Sequence, residues 1–309
     1  MATQVHLDVD PGSDDAVMIA MALGHPSIEV ASISTVGGNS IIDNTTWNAL
    51  AMLERFNRTD VPVARGAAKP MEGTFDTAEW IHGENGIRGE LSEPTTEPVE
   101  VHGAEFIVQQ ARECGGDITI CAVGPMTNLA MALQLEPDLP KMVDGIYLMG
   151  GAATVAGNKT PMAEANFHND PVAASRVIQS GEPYMVGLDA THDATVSLDM
   201  IEEYSGLDEP YDIVGSWLDY PNEIKQFDSG MDPAIHDAAV MAHLIDPEVL
   251  TFELYYLDVE TTDGLCRGTV VCDERRVTEN EPNGEVAIAA DTERFREVFE
   301  DAIGGLIKD

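Results

Sequence analysis

The sequence predicts an α/β fold, in which a mostly parallel, open sheet has helices on both faces. Short β-branched, apolar runs alternate with segments of helical apolar spacing from residue 5 to residue 187. Hydrophobic residues make up 44% of the 309 positions, which is enough for a sizeable core. No linker or internal repeat interrupts the chain, so we expect residues 1–309 to form one domain.

The periodicity places the elements in order. The predicted strands are 5–9, 28–36, 61–64, 117–123, 145–149 and 184–187. The predicted helices between them are 14–23, 41–56, 105–112, 128–135 and 171–179. After residue 195 we expect several helices within 198–244, paired strands at 250–260 and 268–272, and a last helix at 292–303. The second half is therefore predicted to be helical and rich in loops.

The charge balance limits the partners. Asp and Glu total 55 against 16 Lys and Arg, a formal net charge of −39 at pH 7. Such a surface repels nucleic acid and anionic membranes, so we expect neither as a partner. Acidic excess with few Lys is typical of a halophilic protein, because concentrated salt screens the self-repulsion.

Two further features bear on location and metal chemistry. No basic segment followed by an apolar run opens the chain, and no apolar stretch is long enough to span a bilayer, so we expect a cytoplasmic protein. The four cysteines form no Cys-x-x-Cys pair, so we expect no zinc site.

A segment rich in carboxylates follows the first predicted strand. Residues 8–15 (DVDPGSDD) hold four carboxylates around a Pro-Gly turn. In an open parallel sheet, ligands bind outside the carboxyl ends of the strands. Like charges this crowded need a cation or protons, and carboxylate oxygens suit Ca²⁺ or Mg²⁺. The segment therefore predicts a metal site.

Two other interpretations of this segment explain less of it. Ser13 could cap a helix while Asp14 and Asp15 complement its dipole, but Asp8 and Asp10 precede that helix. Phosphotransferases of the haloacid dehalogenase type also begin with a strand and an Asp-x-Asp. An intensely acidic pocket is unfavourable for their phosphate substrates without Mg²⁺ and basic residues.

Seven motifs, in order along residues 5–250, resemble those of the inosine–uridine nucleoside hydrolase family. They are DPGSDDA at 10–16, TVGGN at 35–39, HG at 82–83, VGPMTNLA at 123–130, MGG at 149–151, Asn158 with EANFHNDP at 164–171, and HDA at 236–238. One motif alone would be weak, whereas seven in order are specific. The resemblance implies hydrolysis of the N-glycosidic bond of ribonucleosides, releasing ribose and a free purine or pyrimidine base.

The resemblance also implies a cofactor and a mechanism. One Ca²⁺ would be held by Asp10, Asp15, Asp237 and the main-chain carbonyl of Met126, with waters completing a shell of about six to eight oxygens. A metal-activated water would attack the anomeric carbon, and Asp10 would take its proton. The transition state would resemble an oxocarbenium ion.

Substrate recognition follows from the same resemblance. The residues implied to bind ribose are Asp14, Asn39, Asn158, Glu164 and Asn166. Carboxylates and amides suit this role because vicinal hydroxyls both donate and accept hydrogen bonds. For Asn158 and Asn166 the alternative is an ordinary loop or capping role.

Histidines are the candidates for assisting the departing base. We expect His236 to act as the general acid, with His82 second, since only His titrates near neutral pH unperturbed. The alternatives are that His236 supports the neighbouring ligand Asp237, and that His82 is an ordinary loop residue. Base contacts are expected from Tyr220, Gln226 and Phe227, but the preference between purine and pyrimidine stays open.

A different class of function fits the same fold. A non-catalytic nucleoside- or ribose-binding protein is the alternative, because a fold does not determine a function. The complete set of candidate site residues favours the enzyme. Relatives of this family are commonly dimers or tetramers, so we expect a homodimer or homotetramer that acts on a small-molecule nucleoside.

Overall fold

A computed structural model describes residues 2–83, 85–219 and 232–308. Its strands are β1 (Thr3–Val9), β2 (Ile28–Thr35), β3 (Val63–Arg65), β4 (Thr119–Ala122), β5 (Gly145–Met149), β6 (Tyr184–Val186), β7 (Leu250–Tyr255), β8 (Leu257–Val259), β9 (Val270–Cys272) and β10 (Gly284–Ala290). Eight of them form one sheet in the order β3-β2-β1-β4-β5-β6-β10-β7. All neighbours in it are parallel except β10 and β7. The predicted mostly parallel sheet is confirmed.

The helices lie between the strands and around the sheet. They are α1 (Ser13–Gly24), α2 (Ile42–Arg55), α3 (Glu79–His82), α4 (Gly103–Glu113), α5 (Thr127–Leu135), α6 (Ala165–Asn169), α7 (Pro171–Gly181), α8 (Leu188–Thr191), α9 (Leu198–Ser205), α10 (Ile213–Leu218), α11 (Ala238–Ile245) and α12 (Thr292–Lys308). Within the described ranges, no helix combines the length and the apolar character needed to cross a membrane.

Two apolar clusters pack on the sheet. The larger contains Met18 of α1 and Phe299 of α12, and the other contains Ile107, Leu129 and Val177 of α4, α5 and α7. Ten of the twelve residues of α1 are buried. A helix buried on nearly every side must be apolar all round, which explains its run of Ala, Val, Met and Ile. The position of the first turn of α1 is therefore tightly constrained.

The strand order determines where a ligand can bind. The chain proceeds outward from β1 through β2 to β3 and then returns to place β4 on the other side of β1. The connection that leaves β1 goes to one side, toward β2, and the connection that leaves β4 goes to the other side, toward β5. Between these two connections a crevice opens outside the carboxyl ends of β1 and β4. The segment after β1 carries the carboxylates at 10–15, so the topology places them in this crevice.

Strand β10 is absent from the sequence-based prediction. Its sequence, GEVAIAA, is rich in Ala and alternates weakly, although it pairs with both β6 and β7 in the sheet. The predicted strand 250–260 is divided between two sheets. Its first half is β7, paired with β10, and its second half is β8, which forms a separate antiparallel pair with β9. Only this second half pairs with 268–272, as expected.

Two adjacent glycines of α12 test the packing of α12 against α1. A Cβ at Gly305 would lie 2.1 Å from the carbonyl oxygen of Gly24, whereas a Cβ at Gly304 would have no neighbour within 4 Å. We expect Gly305→Ala to lower the free energy of unfolding by about 1–3 kcal/mol through overpacking. Gly304→Ala should raise it by up to about 1 kcal/mol through helix propensity. Denaturant unfolding at fixed salt measures both, and equal changes would contradict this packing.

Candidate active site

Polar residues from five elements converge on the crevice. Asp10 follows β1, Asn39 follows β2, and Met126 precedes the first residue of α5. Glu164 and Asp237 immediately precede α6 and α11. Several helix N-termini thus lie at one edge of the sheet, where their exposed amides and dipoles favour negative charge.

Three carboxylates form the centre of this site. Oxygens of Asp14, Asp15 and Asp237 lie within 4.8 Å of one another. Both oxygens of Asp15 accept main-chain N–H groups, from Asp10 at 3.0 Å and from Gly12 at 2.9 Å. These two bonds fix the carboxylate of Asp15 at the start of α1, so the group has a defined geometry.

Asp10 lies beside this group. Among the described residues, the group that meets the 4.8 Å limit consists of Asp14, Asp15 and Asp237 and does not include Asp10. Its Oδ2 accepts the main-chain N–H of Asn39 at 2.7 Å. A Cβ at Gly38 would lie 2.0 Å from Asp10 Oδ2, and a Cβ at Gly124 would lie 2.7 Å from Asp10 Oδ1. The two glycines therefore leave the space that the Asp10 carboxylate occupies. The predicted metal set contains Asp10, whereas the three-carboxylate group contains Asp14 in its place.

The proximity of these groups changes their proton affinities. Burial and the carboxylate of Asp15 raise the pKa of Asp14 to about 7. Burial and the same neighbour raise the pKa of Asp10 well above its ordinary value, and burial and Asp14 do so for Asp237. Burial also raises the pKa of Glu164. The shifts of the three aspartates reflect negative charges held away from water near others of their sign, whereas the shift of Glu164 reflects burial alone.

A hard divalent cation fits this arrangement. Asp14 Oδ1 is buried and has no hydrogen-bond partner among the described residues. A buried carboxylate oxygen without a donor is costly, and a bound cation or a ligand hydroxyl would satisfy it. Oxygen donors from three carboxylates suit Ca²⁺ or Mg²⁺, and the nearby carbonyl of Met126 is of the same chemical type. That carbonyl already accepts the N–H of Ala130 at 2.9 Å, which leaves its second lone pair.

The predicted ribose-binding residues have structural bonds of their own. Glu164 accepts main-chain N–H groups from Gly151 and Asn166, each at 2.9 Å, and caps α6. Asn166 donates its amide to the carbonyl of Val123 at 2.6 Å and so ties α6 to the end of β4. Asn158 Oδ1 accepts the N–H of Ala165 at 3.0 Å, in the capping role that was its alternative interpretation.

Asn39 connects two of the acidic residues. Its side-chain amide donates to the carbonyl oxygen of Asp10 at 3.2 Å and to Asp15 Oδ2 at 3.1 Å. Since its main-chain N–H also binds Asp10, this one residue orients both carboxylates. The structure thus brings Asn39 directly into the acidic site, while Asn158 is exposed on the loop before α6.

The two candidate histidines occupy different positions. His82, at the end of α3, is 5% exposed, and its Nδ1 accepts the main-chain N–H of Ser13 at 3.2 Å. Burial lowers the pKa of His82 to about 3, so its ring is neutral at pH 7. His236 Nδ1 lies 2.7 Å from Thr191 Oγ1. Burial, followed by the nearby His192, lowers the pKa of His236 to about 4, so this ring is also neutral.

Other site residues are absent from the sequence-based prediction. The glycines that make room for Asp10 occur in the recognised motifs, but their role depends on distances across strands. Thr191 lies four residues after the end of the predicted strand 184–187, and this closeness to the carboxyl end of a strand is the only local signal for it. The proposed base contacts Tyr220, Gln226 and Phe227 lie outside the described residues.

The fold and the site define a class: an α/β enzyme with an acidic pocket at the carboxyl edge of a parallel sheet. The family model "Inosine-uridine preferring nucleoside hydrolase" matches residues 5–297. The chain belongs to this family, as the motifs predicted, and is a nucleoside hydrolase.

Relatives and solved structures agree with the family. The pyrimidine-specific ribonucleoside hydrolase RihA of Shigella boydii is 37% identical over 308 residues, which cover 98% of this chain and 99% of the relative. A purine-preferring ribonucleoside hydrolase from Gardnerella vaginalis superposes with a TM-score of 0.91 at 29% identity, over 99% of both chains. A plant nucleoside hydrolase superposes with a TM-score of 0.88 at 31% identity, over 98% of this chain and 99% of that one.

The acidic site predicts how a bound divalent cation, tested here with calcium, and pH would together affect stability. Without a cation, the raised carboxyl pKa values favour the folded state at low pH, and this contribution is lost as the pH rises from about 4 through about 7. A bound cation offsets that loss. At a calcium concentration about 100 times its Kd, we expect a chelator to lower Tm by about 5 °C at pH 8 and by much less at pH 5.

Thermal unfolding at constant ionic strength measures this difference. Asp237→Asn is the matched control, because it removes one charge from the group and should make Tm insensitive to the chelator. A chelator effect that is equal at the two pH values, or larger at pH 5, would contradict the assignment of the cation to these carboxylates.

Proposed function

We propose that this chain is a calcium-dependent hydrolase of the N-glycosidic bond of ribonucleosides. The observation that carries the proposal is the three-carboxylate group of Asp14, Asp15 and Asp237, with Asp10 beside it in the crevice. Glycosidic hydrolysis needs a base for the attacking water and negative charge near a cationic sugar, and this group offers both. The family membership favours this activity over a non-catalytic binding protein.

The cation would be held by Asp10, Asp15, Asp237 and the main-chain carbonyl of Met126. Asp14 lies beside these ligands, with an oxygen within 4.8 Å of those of Asp15 and Asp237. When bound, Ca²⁺ supplies positive charge that keeps these carboxylates ionised and orients the sugar hydroxyls and the attacking water. Magnesium would fit the donor type, but a group of several carboxylates with a flexible number of ligands suits Ca²⁺ better.

Asp10 acts as the general base. Its carboxylate lies at the edge of the group, with Oδ2 bonded to the N–H of Asn39 and Oδ1 facing Gly124. A carboxylate held by one main-chain donor retains lone pairs for the proton of the attacking water. The narrow space between the two glycines keeps it in one orientation, which favours a single direction of proton transfer.

The ribose lies among groups that accept from its hydroxyls. Asp14, with an unpaired buried oxygen, and Glu164, at the start of α6, are the charged acceptors. Asn39, Asn158 and Asn166 supply amide groups at the rim. The combined negative potential of the Asp14 and Glu164 carboxylates stabilises positive charge on the sugar ring as the base departs. A 2′-deoxyribose would leave some of these groups unpaired, so ribonucleosides are favoured.

The departing base receives a hydrogen bond from a neutral imidazole. His236 Nε2 is the donor in this proposal, with Nδ1 occupied by Thr191. His82 is the second candidate, because its Nδ1 accepts the N–H of Ser13 and its ring proton is therefore on Nε2. The 37% identical relatives are named pyrimidine-specific, which favours uridine and cytidine as the better substrates.

Three further expectations from the sequence stay predictions. They are a single domain over residues 1–309, a homodimer or homotetramer, and a cytoplasmic location in a high-salt habitat.

Ribose release from uridine, cytidine, inosine and adenosine tests the reaction class. In concentrated salt with calcium, we expect reducing sugar to appear from uridine and cytidine faster than from inosine and adenosine. A chelator should stop the release and added calcium should restore it. Release that the chelator does not affect would contradict the calcium dependence, and no release from any of the four would contradict the proposed substrates.

A substitution at position 10 tests the general base. We expect Asp10→Asn to lower kcat for uridine by about 10³-fold, since the amide cannot take the proton. The amide oxygen of Asn can still serve as a calcium ligand, so calcium bound per chain, measured by equilibrium dialysis at saturating calcium, should change little. Asp237→Ala is the comparison, because it should lose both calcium and turnover. Turnover near the wild-type value in Asp10→Asn would remove Asp10 from the mechanism.

A further inference from the structure

Thr191 contacts the histidine that the proposed function assigns to the leaving group. The hydroxyl of Thr191 lies 2.7 Å from His236 Nδ1, and the Thr191 side chain is completely buried. It is the last residue of α8, the short helix that begins two residues after the end of β6. The ring of His192 makes an edge-on contact with His236, with 6.0 Å between ring centroids. The imidazole of His236 is therefore contacted by a hydrogen bond at Nδ1 and by the neighbouring ring of His192.

The main chain places His236, and the threonine orients it. Ile235 donates its N–H to the carbonyl of Ala194 at 2.9 Å, and Val196 donates to the carbonyl of Pro233 at 3.1 Å. These two bonds locate the segment that carries His236 without restraining the rotation of its ring. The bond to Thr191 adds that restraint, because it selects one edge of the imidazole. With Nδ1 occupied, any contact with a departing base must use Nε2.

Either the Thr191 hydroxyl or an Nδ1–H can be the donor in this contact, and only the arrangement with the hydroxyl as donor leaves a ring proton for the departing base. When the Thr191 hydroxyl donates to Nδ1, the proton of the neutral ring resides on Nε2, where it can be donated to the base. We propose that Thr191 is a positioning residue, whose hydroxyl fixes the orientation and tautomer of His236 so that Nε2–H points to the leaving group. This inference rests on the proposed function, since it assigns His236 to the departing base.

Helix α8 also connects this position to the sugar side of the crevice. The carboxylate of Asp189 accepts N–H groups from Ala153 at 2.8 Å and Thr154 at 2.7 Å, and Leu188 donates its N–H to the carbonyl of Gly151 at 2.9 Å. Gly151 in turn donates to Glu164. Helix α8, which carries Thr191, is thus bonded to the loop before Glu164. These bonds fix the distance between the proposed acid His236 and the proposed ribose residues.

Substrates with different leaving groups distinguish a loss of His236 orientation from a general disturbance of the active site. Uridine and inosine need a hydrogen-bond donor for their base, whereas 4-nitrophenyl β-D-riboside releases a stable phenolate anion and needs none. Thr191→Val keeps the shape of the side chain and removes the hydroxyl. We expect it to lower kcat for uridine or inosine by about 10–100-fold, with KM changed by less than about 3-fold. Turnover of the nitrophenyl riboside should stay within about 3-fold of the wild type.

Two further variants serve as controls. Thr191→Ser retains the hydroxyl, so it should recover most of the turnover of uridine. Thr46→Val makes the same change at a buried threonine of α2, whose hydroxyl donates to the carbonyl of Ile42, and it should leave all three substrates within about 2-fold. The double variant Thr191→Val/His236→Ala should be no slower on uridine than His236→Ala alone, since the threonine acts through the histidine.

The outcomes distinguish this inference from the proposed function. If the wild-type enzyme cleaves ribosides but Thr191→Val is slowed equally on all three substrates, the positioning role is overturned while the hydrolase stands. An additive double variant, or a Ser variant as slow as the Val variant, overturns it as well. If the wild type cleaves none of the three, including the nitrophenyl riboside, the proposed function fails and this assignment fails with it.

Discussion

The site depends on one electrostatic constraint, which is that several carboxylates are held together away from bulk water. One carboxylate oxygen from each of Asp14, Asp15 and Asp237 lies within 4.8 Å of the other two. Two unit charges 4 Å apart repel by about 4 kcal/mol at an effective dielectric constant of about 20. Three such pairs are comparable with the whole net stability of a typical domain, which is about 5–15 kcal/mol. The folded chain must therefore hold protons or a cation at this position, and only the cation leaves the carboxylates ionised for chemistry at neutral pH.

A second buried carboxylate nearby shows the alternative way of holding such a group. Asp8 Oδ1 accepts the hydroxyl of Ser34 at 2.6 Å and the amide of Asn128 at 2.8 Å. Since Ser34 donates to Asp8, the contact of 2.8 Å between His6 Nε2 and Ser34 has the histidine as donor. Burial lowers the pKa of His6 to about 3, so the network is built from neutral donors. Asp8 is satisfied by the protein itself, whereas Asp14 Oδ1 has no such partner among the described residues. This difference distinguishes Asp8, whose carboxylate supports the fold, from Asp14, whose buried oxygen is available to a ligand.

The sequence predicts the parts of this arrangement that are local. The crowding of Asp10, Asp14 and Asp15 lies within six positions, and the alternation of strands and helices is enough to place them at the edge of a sheet. Asp237 was reached through the family motif alone, because no periodicity connects it with α1. The pairing of β10 with β6 and β7 could not be read from an Ala-rich segment, since its place in the sheet is determined by the apolar surfaces that cover it. The bond between Thr191 and His236 likewise joins positions 45 apart, and only the fold shows it.

The net charge of −39 and the buried carboxylates are two separate electrostatic problems. Exposed pairs, such as Lys141 with Asp138, weaken in concentrated salt, where the Debye length is about 3 Å at 1 M. The buried group is shielded from this screening, so a cation there is retained by the geometry of its ligands, whatever the ionic strength. The negative charge of the surface acts instead on the molecules that approach the protein from solution. A negative surface repels phosphorylated molecules and admits neutral ones, and a nucleoside differs from a nucleotide in this respect. Because concentrated salt screens this long-range repulsion, selection against charged substrates then depends on the crevice, where a phosphate would meet buried carboxylates at close range and a sugar hydroxyl would be accepted by them.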